Sequence, residues 1–280
     1  MIPFLLTVLI LVAAVLAGLA LRRRARQARR AAGLTPAQRA IVAAQVPLSR
    51  VLPDALRPAF EARMVDFLAQ VDFTGCNGLE VTEEMRLSIA AQACLLIANS
   101  GAWYESLRSV LIYPDAFRSK LKEHDGYVVT ERETVRSGES WSQGPVVLSW
   151  ADARHGAEVA HDGHNVVFHE FAHQLDDLSG ATDGMPDLAP GQSRAEWRHV
   201  FDEAYAQHLY RVENHRPTLF DPYGAEGPQE FFAVAVEAFF ETPRHIRDHA
   251  PEVYAQLARF FALDPAAWEP TRSDQSADLA

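Results

Sequence analysis

Apolar and polar positions divide the chain into a long uninterrupted apolar run, a polar stretch, and then segments of clear periodicity. Ile2 to Leu21 contains no charged residue. Twenty such residues at helical rise span roughly 30 Å, the thickness of a bilayer core. From Pro53 to Val71, the residues Leu56, Phe60, Met64, Phe67 and Leu68 recur at helical spacing. Thr82-Glu83-Glu84 reads as an N-cap and acidic first turn. It opens a helix through Leu87, Ile89, Leu95 and Ile97 that stops near Asn99-Ser100-Gly101. Strand signals follow at 110–113, 127–130 and 146–150. Helical patterns then occupy about 165–178, 193–212, 228–241 and 251–262. No internal repeat interrupts this order, which predicts an α+β fold: helices, a small sheet, then helices.

Charge sharpens the picture at the N-terminus. Residues 1–30 carry six Arg and no acid, whereas residues 31–280 hold 20 Lys+Arg against 37 Asp+Glu. A globular part with a net charge of −17 lacks the basic footprint that phosphates demand, so direct nucleic-acid binding is excluded. Arginines on the C-terminal flank of the apolar run, with none before it, predict an uncleaved transmembrane helix whose following domain faces the cytoplasm. The rival readings are a secretory signal peptide, with Gly18-Leu19-Ala20 as small residues for cleavage, and a cytoplasmic protein. The expected organisation is therefore a membrane anchor over 1–21, a basic juxtamembrane tether over 22–50, one catalytic domain over 51–265 and a flexible tail over 266–280. Placement at the inner membrane follows. Cys76 and Cys94 are expected as free thiols.

The chemistry centres on His169-Glu170-Phe171-Ala172-His173. Residues four apart share one helical face, so both imidazoles can reach a single zinc ion. Glu170, offset by one position, faces the attacking water instead. A chain of this composition yields only about 0.03 chance matches to the pattern. Metal-binding also gives two His and a Glu on an apolar helix the partner that burial demands. A third ligand six residues beyond His173 is ruled out, because Ser179 stands there. Asp176 shares the face but is carried away by the helix, which suits it to supporting a ligand His. The apolar segment Gln229 to Glu241 brings two further acids, Glu230 and Glu237, onto one face with no Lys or Arg among them. His155, His161 and His164 precede the motif as loop histidines. Val146–Trp150 is expected either as an edge strand that could accept an extended peptide or as a core strand.

The segments His169 to Asp176 and Gly144 to Trp150, and Tyr223 followed seven residues later by Glu230-x-Phe-Ala-Val, resemble the glucose-regulated zinc peptidases typified by Mlc titration factor A. The resemblance runs from about Leu34 to about Pro265. It implies a gluzincin-like fold with one zinc per chain, held by His169, His173 and Glu230. Glu170 would be the catalytic base and Tyr223 its assistant. Apart from the resemblance, Asp176 and Glu237 are expected to support the ligands from their places on the two helices. The resemblance also implies aminopeptidase-like hydrolysis of peptides. The second reading it raises is a zinc-stabilised module that sequesters a transcriptional regulator.

Overall fold

The computed structural model describes residues 2–125, 128–136, 138–140, 144–159 and 161–268. Tyr127, at the head of an expected strand, and most of the expected tail lie outside them. The chain begins with α1 (Ile2–Ala32), α2 (Pro36–Gln45), the single turn α3 (Leu48–Val51) and α4 (Arg57–Gln70). Strand β1 (Asp72–Gly75) leads into α5 (Glu83–Leu96) and β2 (Ser109–Tyr113). A hairpin of β3 (Phe117–Asp125) and β4 (Val128–Arg136) follows, then β5 (Gly138–Ser140) and β6 (Val146–Ser149). The remainder is helical: α6 (Trp150–Glu158), α7 (Val166–Asp176), α8 (Arg194–Glu213), α9 (Pro228–Glu241), α10 (Pro243–His249) and α11 (Pro251–Phe261).

The main sheet has the order β1-β2-β6-β5. β1 pairs with β2 in parallel, β2 with β6 in parallel, and only β5 runs antiparallel, opposing Gly138 to Leu148. Because α5 crosses from β1 to its parallel neighbour, helix and strand are interleaved here, where an α+β fold would segregate them. The expected α+β class is corrected on this point: the molecule is mostly helical around a small, largely parallel sheet. Val146–Ser149 is an inner strand buried at all four positions, so the edges belong to β1 and β5.

The N-terminal expectation is also corrected. Among the described residues, no helix is long and apolar enough to cross a membrane. α1 continues unbroken through the arginines, and Arg26 and Arg30 both bond Asp66 of α4, at 2.7 and 2.5 Å, whose side chain is 4% exposed. Two of the six arginines thus serve a buried carboxylate of the domain. The transmembrane helix, the membrane partnership and the inner-membrane placement that rested on it are withdrawn.

α5 forms the centre of the helical part, with every residue from Leu87 to Leu96 buried. Thr82 caps it through the Met85 amide, and Asn165, Ser149 and Ser193 cap α7, α6 and α8 in the same way. α7 packs on α9 and on the segment after α5 through aromatic contacts: Phe168 against Phe240 at 5.1 Å and Phe171 against Tyr104 at 5.0 Å. Each such ring contributes roughly 1.5–3 kcal/mol by burial, so α7 is held rigidly along the face opposite its histidines.

Candidate metal centre

α7 and α9 cross so that one side chain from α9 lies over two from α7. His169 Nε2, His173 Nε2 and Glu230 Oε2 converge, separated by 3.2, 3.1 and 3.3 Å around the triangle. Tetrahedral zinc with bonds of about 2.0–2.1 Å needs ligand atoms about 3.3 Å apart, so the donor set fits that ion. The same three residues form the metal-capable group among the described residues. Glu230 sits in the first turn of α9, where the helix dipole favours a carboxylate.

Glu237, two turns further along α9, binds both the metal face and the start of α7. Its Oε1 is 2.7 Å from His169 Nδ1, and its Oε2 accepts the Asn165 amide at 2.6 Å. A carboxylate only accepts, so Nδ1 of His169 carries the hydrogen and Nε2 presents its lone pair to the centre. Burial alone would lower the imidazolium pKa, but with no cation in place hydrogen bonds to Glu230 and Glu237 outweigh it and raise His169 well above its ordinary value. For Glu230 burial pushes the other way, and the two histidines overcome it to hold the carboxyl far below the usual range. A site that stabilises positive charge so strongly between two imidazoles and a carboxylate is one that a divalent cation can occupy.

Glu170 is buried, at 5% exposure, on the turn between the histidines. Backbone of the edge strand passes directly over it: a Cβ on Gly138 would lie 2.4 Å from Glu170 Oε1. Tyr223 stands in a 3-10 turn (Pro222–Glu226) with its ring 5.8 Å from that of His169. The structure thus brings together His169, His173, Glu230, Glu170, Glu237 and Tyr223. Asp176 is different. Its Oδ2 accepts the Gly184 amide at 2.7 Å, while its Oδ1 and His173 Nδ1 are both buried without a hydrogen-bond partner. Burial raises the Asp176 carboxyl to about 7.

Two residues escape sequence reasoning. Glu241 is 2% exposed and accepts from Asn165 Nδ2 and the His161 amide, fastening the loop before α7. Its spacing of four from Glu237 on an all-apolar helix is the signal that could have found it. Gly138 carried no signal, since a three-residue strand has no periodicity to read. Cys76 and Cys94 are free thiols. Of the three histidines expected in a loop, His155 instead lies in the last turn of α6 and pairs with Asp162, while His164 pairs with Asp221.

A helix presenting two histidines and a glutamate, crossed by a second helix that supplies a carboxylate, defines the metallopeptidase class. The chain belongs to the family described as glucose-regulated metallo-peptidase M90, which it matches over residues 19–262. It is 43% identical over 235 residues to uncharacterized protein slr2042 of Synechocystis sp. (strain ATCC 27184 / PCC 6803 / Kazusa), covering 83% of this chain and 86% of that one. It is 32% identical over 241 residues to Mlc titration factor A of Yersinia pestis (strain Pestoides F), covering 83% and 88%. The same figures hold for Mlc titration factor A of Yersinia pseudotuberculosis serotype O:1b.

Proposed function

We propose that the protein is a zinc-dependent peptidase, aminopeptidase-like in its preference, with one zinc held by His169, His173 and Glu230. The observation that carries this reading is the triangle of donor atoms at 3.1–3.3 Å beside a buried Glu170. Zinc, when bound, supplies Lewis acidity that polarises the scissile carbonyl and acidifies the attacking water. Glu170 accepts the proton of that water and delivers it to the departing amine. The Tyr223 phenol, beside His169, donates a hydrogen bond to the developing oxyanion. Glu237 keeps His169 in the tautomer that leaves Nε2 available. Asp176, one turn beyond His173 on α7, supports that histidine from the end of the helix.

A second reading, a zinc-stabilised module that sequesters a transcriptional regulator, is favoured by the name of the relatives called Mlc titration factor A. A pure binder needs no general base, so Glu170 and Tyr223 beside all three donors favour hydrolysis. Glu170→Gln should retain zinc and lose roughly 10²- to 10⁴-fold in turnover of aminoacyl-anilides or library peptides. Near-normal turnover in a zinc-replete Glu170→Gln protein would refute the proposal.

A further inference from the structure

The turn that carries Tyr223 is held in two halves. Its C-terminal half is pressed onto the helices: a Cβ on Gly224 would lie 2.7 Å from Val234 of α9 and 3.3 Å from His208 of α8, and Ala225 O accepts the Tyr205 hydroxyl. Its N-terminal half, with Tyr223 at 39% exposure, begins at Asp221. Both oxygens of that carboxylate are committed. Oδ1 accepts the Tyr223 amide at 2.6 Å, and Oδ2 lies 3.1 Å from Nδ1 of His164, in the loop entering α7. One side chain therefore joins the backbone of Tyr223 to the segment that begins the histidine helix. That join ties together two elements more than fifty positions apart, close to the contact between the Tyr223 ring and His169.

We infer that Asp221 is a positioning residue that sets Tyr223 beside His169, with His164 as its anchor. The inference rests on the peptidase reading for its catalytic consequence, but its structural content stands apart from it. A hydrogen bond to an oxyanion matters only in the transition state, so a displaced Tyr223 lowers kcat with KM little changed. Losing a cap of this kind corresponds to roughly 5- to 30-fold. Asp221→Asn keeps an acceptor for the Tyr223 amide and an amide donor for His164, so it should restore most of the rate.

The test uses the full chain with ¹³C-labelled tyrosine, the Tyr223 ring signal being identified by its loss in Tyr223→Phe. Asp221→Ala should shift that signal, leave zinc content unchanged, and lower kcat on aminoacyl-4-nitroanilides roughly 5- to 30-fold. Asp221→Asn should leave the signal in place and kcat within about threefold. An unmoved Tyr223 signal in Asp221→Ala overturns the inference, as does a fall in zinc content parallel to kcat, or an Asn variant as impaired as Ala. Should the wild-type protein turn over no substrate, the peptidase reading fails while the Tyr223 signal still decides the positioning.

Discussion

Replacing Glu237 with Gln changes one atom and removes an acceptor from a site that uses two. The carboxylate accepts from His169 Nδ1 at 2.7 Å and from the Asn165 amide at 2.6 Å, and the residue is 6% exposed. A carboxamide has one acceptor oxygen, so its NH₂ must face one of these donors. If the oxygen serves Asn165, the NH₂ meets His169 Nδ1 and drives the ring hydrogen to Nε2, the atom that faces the metal. If it serves His169, the amide of Asn165, the N-cap of α7, is orphaned. An unsatisfied buried donor costs about 1–3 kcal/mol. Loss of an outer hydrogen bond to a ligand His lowers metal affinity by about 10- to 100-fold, or about 1.4–2.8 kcal/mol. Glu237→Gln is therefore expected to weaken zinc binding about 10- to 100-fold, measured by competition with a chromophoric chelator, and to lower the thermal midpoint of the apoprotein. Zinc affinity within threefold of wild type together with an unchanged midpoint would refute the coupling of tautomer and helix start.

Glu241 supplies a pH dependence. Burial raises its carboxyl to about 7 from an ordinary 4.5, so the folded state retains a proton that the unfolded chain releases between those values. Its contribution is fully present below about pH 4.5 and declines as pH rises to about 7, by at most about 3 kcal/mol. Denaturant unfolding of wild type should thus lose stability from pH 5 to 8, while Glu241→Gln flattens that slope; equal slopes would contradict the assignment. Gly138→Ala places a methyl 2.4 Å from Glu170 Oε1 and 2.7 Å from Val166 Cγ2. It should cut turnover roughly 10-fold or more by displacing the base, with zinc content retained; unaltered kcat would show that β5 yields.

The helices were readable because local signals declare them. The fourfold spacing of His169 and His173, the Asn165 cap and the apolar continuity of α9 all lie within one or two turns of sequence. What escaped depends on partners far away. β1 contains a single large apolar residue, Phe73, and exists because β2 pairs with it from 37 positions downstream. The same long-range pairing makes the sheet largely parallel. Arg26 and Arg30 read as part of a membrane flank because their partner, Asp66, lies some 40 residues on. Asp176 reads from its spacing as sharing a face with His173, but the helix ends there and the Gly184 amide takes one oxygen of its carboxylate. Which of Glu230 and Glu237 meets the histidines through Nε2 was not readable from their spacing alone, since seven residues place both on one face. The crossing of α9 over α7 separates them, directing Glu230 to the Nε2 side and Glu237 to Nδ1.

The zinc content of the full-length protein and two variants tests the central claim most directly. After zinc loading and exhaustive dialysis, elemental analysis should give about one zinc per chain for wild type, as a three-ligand catalytic site requires. His173→Ala and Glu230→Ala should each retain almost none under the same treatment. A wild-type protein that dialyses metal-free, or a His173→Ala protein with undiminished zinc, would show that these donor atoms do not form the metal centre.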